Sequence, residues 1–219
     1  VFRYINDLQP DIIFMPTLGL TIYSLVYANI RLAPLQIYGL GMPATARSDY
    51  MDFVVCSETM YDPRAFPDEK CLADPAPPQH TATKSLDKIT LGVPEDTTPK
   101  DSVHVVIPTA YSKITSSFIK TLRTIRERAD FDIDFTFLTN SKNLMYAYAK
   151  EVIETEFPNA KFYGTQGYKA YFDCIKQGDI ALTPYPFGQA NMMVDICLAG
   201  KPSVNLGGYQ PHNRTSLFN

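Results

Sequence analysis

The residues best suited to hold an anionic ligand lie between Thr183 and Asp195, in the sequence T-P-Y-P-F-G-Q-A-N-M-M-V-D. A strand is predicted to end at Thr183 and a helix to begin near Ala190. The free amides of a first helical turn carry partial positive charge and can bind a diphosphate. Asn191 and Asp195 are four residues apart and share one helix face, where the carboxylate can accept hydrogen bonds from ribose hydroxyls. Spacing alone equally allows a structural interpretation, in which Asp195 compensates the helix N-terminus and Pro-Phe-Gly forms a tight loop.

A second candidate is the sequence P-T-A-Y-S-K at positions 108–113. Lys113, flanked by the hydroxyls of Thr109 and Ser112, can place a point charge on a diphosphate and stabilise a leaving group. Taken alone, the lysine is better explained as a solvated residue at a helix start. Both candidate turns follow strands of one predicted sheet, so we expect them to converge at the carboxyl edge of that sheet.

The third candidate is G-L-G-M-P-A-T at positions 39–45. Gly39 and Gly41 would allow a ligand to approach the backbone closely. The spacing matches neither G-x-G-x-x-G nor a P-loop, which disfavours a dinucleotide or ATP site. The three histidines and four cysteines form no metal-ligand pattern or catalytic triad, so no metal site is predicted.

The elements that must position these residues alternate between short β-rich runs and longer helical patterns, as in α/β folds with parallel sheets. We predict the end of a first Rossmann-like domain over 1–56, a connector with seven prolines over 57–101, and a doubly wound domain over 102–219 that lacks its C-terminal end. The strands are predicted at 11–15, 35–40, 52–56, 103–108, 133–139, 161–163, 180–183 and 203–206.

Composition narrows the function classes. Hydrophobic residues make up 45% and charged residues 20%, which is ordinary for a globular protein. The net charge of −3 disfavours a nucleic-acid partner. Polar residues interrupt the apolar run from Ile12 to Ile30, so we expect no membrane span. Widely spaced cysteines and the lack of a secretory leader favour a reducing, cytoplasmic location.

Three blocks together carry a family resemblance: R-L-A-P-L-Q-I-Y-G-L-G-M-P-A-T-A-R-S-D-Y-M-D-F-V-V at 31–55, the segment around Lys113, and P-F-G-Q-A-N-M-M-V-D at 186–195. The chain resembles the bacterial cytoplasmic N-glycosyltransferases of high-molecular-weight adhesins, which belong to glycosyltransferase family 41 with the O-linked N-acetylglucosamine transferases. The resemblance implies a GT-B fold of two Rossmann-like domains, the first only partly present in this chain. It also implies an inverting, metal-independent reaction that transfers a hexose from a UDP-sugar and needs no further cofactor. Glucose is the hexose that the resemblance favours. The acceptor would be Asn in a sequon, or Ser or Thr, of a protein such as an adhesin.

Carried over by position, the family's roles fall on particular residues. Lys113 would stabilise the diphosphate, Asn191 with its helix N-terminus would hold phosphate and ribose, and Asp195 would bind ribose hydroxyls. Tyr168 and Lys169 would lie near uracil, and the catalytic base would lie upstream of Val1. The implied donor-binding set is Thr109, Ser112, Lys113, Tyr168, Lys169, Phe187, Gly188, Gln189, Asn191 and Asp195. The implied cleft-lining set is Gly41, Pro43, Ala44 and Thr45.

The chain departs from the family pattern at several positions. Met42 replaces a histidine, Met192 replaces a glycine, and Ala110 occupies a position where the family has a small or hydroxyl residue. These departures leave two other functions open. One is a non-catalytic module that binds a nucleotide sugar, and the other is a different GT-B enzyme, such as an epimerase or a lipid-directed transferase.

Overall fold

The computed structural model describes residues 2–19, 21–39, 41, 45–75, 102–139, 144–189 and 191–208. These residues form two units. The first holds the described residues up to position 75, together with Gly208, and the second holds those from Ser102 to Gly207. Each unit contains one parallel sheet.

The first unit is a four-stranded parallel sheet in the order β1-β2-β3-β4. Its core combines the fully buried strand residues Tyr38 and Val54 with residues of a helix and of the loops, such as Phe66. Thr21 caps the second helix, because its hydroxyl accepts the Ser24 amide at 3.2 Å. The elements are α1 Phe2–Leu8, β1 Ile12–Met15, α2 Ile22–Ala28, β2 Leu35–Gly39, β3 Phe53–Ser57 and β4 Lys70–Asp74.

The strand β4 lies in the stretch that the sequence assigned to the proline-rich connector. The segment K-C-L-A-D contains no proline, and prolines fall only before and after it. It can therefore pair along its full length with β3, from Phe53 opposite Lys70 to Ser57 opposite Asp74. The prolines on either side hid this short strand from the sequence pattern. Residues 76–101 of the predicted connector lie outside the described residues.

The second unit is a five-stranded parallel sheet in the order β7-β6-β5-β8-β9. Its chain runs outward from β5 through β6 to β7, and then returns to β8 on the other side of β5. The strand order therefore reverses between β5 and β8, where doubly wound sheets bind their ligands. The elements are β5 Ser102–Pro108, a 3-10 helix Tyr111–Lys113, α3 Ser116–Arg128, β6 Asp132–Leu138, α4 Leu144–Glu156, β7 Lys161–Tyr163, α5 Tyr168–Gln177, β8 Ile180–Leu182, α6 Asn191–Leu198 and β9 Ser203–Val204.

Both faces of this second sheet are covered by helices. On one face Val105 and Ile107 of β5 pack with Phe118 and Leu122 of α3. On the other face, Val106 packs with residues of α5 and α6. Neighbouring residues of β5 thus face opposite cores, as the period of a strand requires. The predicted α/β, doubly wound architecture is confirmed.

The apolar run from Ile12 to Ile30 forms β1 and α2, which are separate short elements. Within the part of the chain that the structure describes, no helix is both long and apolar enough to cross a bilayer.

Candidate functional site

Two loops meet at the carboxyl ends of the adjacent strands β5 and β8. The loop after β5 carries Lys113, and the loop after β8 carries Gly188. The Lys113 ammonium donates a hydrogen bond to the Gly188 carbonyl oxygen at 2.6 Å. Burial lowers the pKa of Lys113, because a desolvated ammonium is less stable than a solvated one. The structure therefore brings together the two loops that the sequence placed at one sheet edge.

A second connection between these loops runs through Gln189. Its side chain is buried, and its Nε2 donates to the carbonyl oxygen of Pro108, the last residue of β5. Its Oε1 is buried with no hydrogen-bond partner among the described residues. Gln189 thus binds the backbone of β5 and leaves one acceptor for a further donor.

The tyrosine between the two prolines of the β8–α6 loop anchors that loop to α3. The Tyr185 hydroxyl donates to the Ser117 carbonyl at 2.8 Å and forms a hydrogen bond with the Thr121 hydroxyl at 2.6 Å. Its ring packs edge-on against Phe118, with 5.9 Å between centroids. The peptide bond between Tyr185 and Pro186 is cis. Sequence reasoning missed this anchor, since the spacing of residues along the loop does not identify a partner on a distant helix.

In the same unit, Asp195 of α6 contacts the first turn of α5. The Tyr168 hydroxyl donates to Asp195 Oδ1 at 2.6 Å. The Tyr171 hydroxyl is buried beside the same carboxylate, and burial first, then the charge of Asp195, raises its pKa. This hydroxyl makes no hydrogen bond of normal geometry to any described residue. Sequence reasoning missed Tyr171, although its spacing of three from Tyr168 on one helix was a usable signal.

These two tyrosines line a cavity of about 200 Å³ at the carboxyl ends of β6 and β7. A larger depression of about 880 Å³ lies at the amino ends of β5 and β6. Ligands of open α/β sheets bind outside the carboxyl ends, so we take the smaller cavity as the candidate site. Its lining residues are Leu138, Thr139, Gly164, Thr165, Gln166, Tyr168, Tyr171 and Met192.

The other donor-binding residues predicted in the second unit differ in exposure. Asn191 is exposed in the first turn of α6, and Ser112 is exposed after β5. Phe187 is 54% exposed. Thr109 is fully buried, and its amide donates to the Leu138 carbonyl at 2.8 Å, so it joins β5 to β6. Lys169 is exposed and binds a carboxylate of its own helix, that of Asp173, at 2.5 Å.

In the first unit, Gly41 lies against the loop that follows β1. Its amide donates to the Pro16 carbonyl oxygen at 3.1 Å, and a Cβ at this position would come within 2.8 Å of the same oxygen. Only glycine fits this approach. Pro43 and Ala44, two of the predicted cleft-lining residues, lie outside the described residues.

Thr45 belongs to a hydrogen-bond cluster around a buried carboxylate. Its hydroxyl donates to Glu69 Oε1, which also accepts the Ala46 amide at 2.8 Å, the Arg47 amide at 3.2 Å and the Tyr38 hydroxyl at 3.2 Å. Glu69 therefore fixes the segment after the glycine motif. The sequence had not indicated this role, because Glu69 lies 24 residues beyond Thr45 along the chain.

No protein-family model matches the chain. Two curated relatives are UDP-glucose:protein N-beta-glucosyltransferases of Actinobacillus pleuropneumoniae, from serotype 7 (strain AP76) and serotype 5b (strain L20). Each is 27% identical to this chain, over 208 residues for the first and 213 for the second. Both alignments cover 92% of this chain. The chain spans 33% of the length of either relative.

Two solved structures share the fold. An O-GlcNAc transferase mutant of Thermobaculum terrenum aligns over 98% of this chain and 41% of its own, with a TM-score of 0.70 and 14% identity. The OtsA apo structure aligns over 99% of this chain and 68% of its own, with a TM-score of 0.57 and 14% identity. At this identity the likeness concerns the fold alone, and that fold is GT-B. The resemblance of the chain to the bacterial protein N-glycosyltransferases is thereby confirmed.

Proposed function

We propose that this chain provides the donor-binding part of an inverting, metal-independent glycosyltransferase. The enzyme moves a hexose, with glucose as the expected one, from a UDP-sugar to a protein side chain in the cytoplasm. The observation that carries the proposal is the meeting of Lys113 with the β8–α6 loop at the strand-order reversal. The names of the curated relatives supply the nature of donor and acceptor. The acceptor is Asn in a sequon, or Ser or Thr, of a protein such as an adhesin.

In this proposal Lys113 is the residue that stabilises the leaving group. As the sugar departs, negative charge grows on the diphosphate, and a pre-positioned ammonium lowers the energy of that charge. An ammonium has three hydrogens. One of them is donated to the Gly188 carbonyl oxygen, and this hydrogen bond fixes the direction of the side chain. The other hydrogens of the ammonium remain able to donate to a diphosphate.

The remaining residues of the donor-binding set have supporting roles in the proposal. The first turn of α6, with Asn191, binds phosphate through its amides, because these amides have no partner within the helix. Asp195 recognises the ribose. Tyr168 and Lys169 lie toward the base, and the loop from Phe187 to Gln189 covers the diphosphate.

A non-catalytic protein that binds a nucleotide sugar is the second candidate. It is favoured by Met192, which lines the cavity where the family has a glycine and therefore reduces the space for a ligand. Such a protein would bind UDP and transfer no sugar, so binding and transfer must be measured separately.

The binding test is calorimetric titration of the protein with UDP, for the wild type, Lys113→Ala and Asp195→Ala. We expect each substitution to weaken UDP binding by at least tenfold, since a hydrogen bond to a charged group contributes ~1.5–3 kcal/mol. Lys150→Ala is the matched control, because Lys150 is a half-buried cation on α4 that pairs with Glu154. Unchanged UDP affinity in both site variants would refute the assignment of the site.

The transfer test uses the full-length protein in which this chain occurs. That protein is incubated with UDP-glucose and a peptide that carries an Asn-x-Thr sequon. Mass spectrometry should detect one added hexose, and this product should disappear with Lys113→Ala. UDP binding without transfer from any UDP-hexose would support the non-catalytic alternative.

A further inference from the structure

Both cleft-lining residues that the structure describes are anchored to distant parts of the first unit. Gly41 donates its amide to the carbonyl oxygen of Pro16, in the loop after β1, at 3.1 Å. Thr45 donates its hydroxyl to Glu69, the residue that directly precedes β4. The stretch from Gly41 to Thr45 therefore has an anchor at each end.

Glu69 is a buried carboxylate whose hydrogen bonds are all made by one oxygen. Only 6% of the residue is exposed, and Oε1 accepts the amides of Ala46 at 2.8 Å and Arg47 at 3.2 Å. Its Oε2 is buried and accepts no hydrogen bond from the residues that the structure describes. A buried oxygen without a hydrogen-bond partner lowers the stability of the folded state. Stability alone therefore does not account for a glutamate at this position.

The backbone of Arg47 adds a second unfavourable feature to the same segment. Its φ of 48° lies in the left-handed region, which residues with a side chain rarely adopt. The amide of Arg47 is held by Glu69, whereas its guanidinium lies 3.8 Å from Asp68, with both side chains mostly exposed. Strained backbone conformations persist where surrounding contacts fix them, and they cluster at functional sites.

Resting on the proposed function, we infer that Glu69 is a positioning residue for sugar transfer. It fixes the backbone from Thr45 to Arg47, and thereby the cleft-lining segment, in the conformation that transfer requires. Glu69 acts only through this segment and contacts no substrate. UDP binding, by contrast, depends on Lys113 and Asp195 of the second unit. Loss of Glu69 should therefore affect transfer and leave UDP binding in place.

The first experiment compares the full-length wild-type protein with Glu69→Ala and Glu69→Gln. Calorimetry measures UDP affinity, and mass spectrometry measures kcat and KM for an Asn-x-Thr peptide with UDP-glucose. Glu69→Ala should lower kcat/KM roughly tenfold to hundredfold, because misplacing a group by ~1 Å can cost about 10²-fold in rate. UDP affinity should stay within about twofold of the wild type. Glu69→Gln should recover most of the lost transfer, because glutamine keeps an oxygen that accepts the same amides.

Val54→Ala is the matched control for a loss of stability in the first unit. Val54 is fully buried in the core of that unit and makes none of the hydrogen bonds of Glu69. The control is measured under conditions in which circular dichroism shows that each variant is folded. Val54→Ala should then transfer sugar like the wild type.

A second pair of variants tests the backbone conformation without changing Glu69. Glycine adopts the left-handed region readily, whereas a β-branched residue does not. Arg47→Val should therefore transfer sugar at least about fivefold more slowly than Arg47→Gly, with equal UDP affinity in the two variants. This comparison still tests the inference if Glu69→Ala does not fold, and equal transfer by the two variants would contradict it.

The outcomes separate this inference from the proposed function. Transfer by Glu69→Ala at the wild-type rate would leave Glu69 with a structural role only and overturn the inference. A parallel fall in UDP affinity and transfer, or the same loss of transfer in Val54→Ala, would show a general loss of structure and also overturn it. In these cases the wild type remains active and the proposed function stands. A wild-type protein that transfers no sugar would refute the proposed function, and the inference with it.

Discussion

At the scale of single residues, the second unit holds charged groups in partly buried positions. Lys113 is bound to a backbone carbonyl and not to a carboxylate, so no opposite charge offsets its desolvation in that contact. A buried ammonium without a counter-ion destabilises the folded state. Residues that lower stability in this way are common at functional sites, where a ligand supplies the missing charge.

The lowered pKa of Lys113 predicts a particular dependence of stability on pH. Between the lowered folded-state value and the unfolded value near 10.5, the unfolded chain binds more protons than the folded chain. The contribution of Lys113 to the free energy of unfolding must therefore rise with pH across this window. Lys113→Met keeps the length of the side chain and removes the ionisation. We expect the stability difference, wild type minus Lys113→Met, to increase from pH 7 to pH 10.5 in urea denaturation, and a flat or falling difference would contradict the burial.

Contacts between individual residues could be predicted from the sequence where both residues follow the ends of parallel strands. The meeting of Lys113 with the loop after β8 followed from the rule that carboxyl ends of parallel strands share one edge. Tyr171, Tyr185 and Glu69 were not identified, because each depends on which side chains fill the space between elements far apart in sequence. Their hydrogen-bond partners come from packing, and spacing along the chain does not encode packing.

At the scale of elements, the helix α3 shows the spacing that a sheet-covering helix requires. Phe118 and Leu122 are four residues apart and lie on the face of α3 that packs against β5. The strand β4 was missed, since its five residues offered too short a pattern among nearby prolines. The β8–α6 loop adopts its conformation through contacts with α3, which no pattern within the loop could reveal.

Tyr185→Phe tests whether those contacts stabilise the loop. The substitution keeps the ring against Phe118 and removes the hydroxyl that binds Ser117 and Thr121. We expect a loss of ~1 kcal/mol in the free energy of unfolding, as for a typical hydrogen bond. UDP affinity should fall several-fold, because the β8–α6 loop that orients Lys113 would be held less rigidly. Urea denaturation and calorimetry measure the two effects, with Tyr148→Phe as the control that should change neither.

At the scale of the whole molecule, each unit has its own core. Tyr38 and Val54 belong to the core of the first unit, and Leu122 belongs to one of the two cores of the second. Alternation of strand and helix patterns correctly predicted both parallel sheets. The order of the strands within each sheet comes from the packing of the helices, so the sequence indicated it only through the rules of the fold class.

Leu122→Ala tests the core between α3 and the sheet of the second unit. Leu122 is completely buried, and its truncation should lower the free energy of unfolding by ~2–5 kcal/mol through lost contacts and a cavity. Leu144→Ala is the control, because Leu144 is 84% exposed on α4 and should change stability by less than ~0.5 kcal/mol. Chemical denaturation followed by circular dichroism measures both, and equal effects would contradict the packing of α3.

The connections of the β8–α6 loop also have a consequence for how the site forms as the chain folds. Lys113 reaches a residue 75 positions later, Gln189 reaches one 81 positions earlier, and Tyr185 reaches back 68 positions to Ser117. Closing such long loops must precede the gain from the contacts themselves. During synthesis, the segment around Lys113 therefore cannot form these contacts until residues up to Gln189 have left the ribosome. The ability to hold a donor should appear late in folding, after the strands on which it depends have paired.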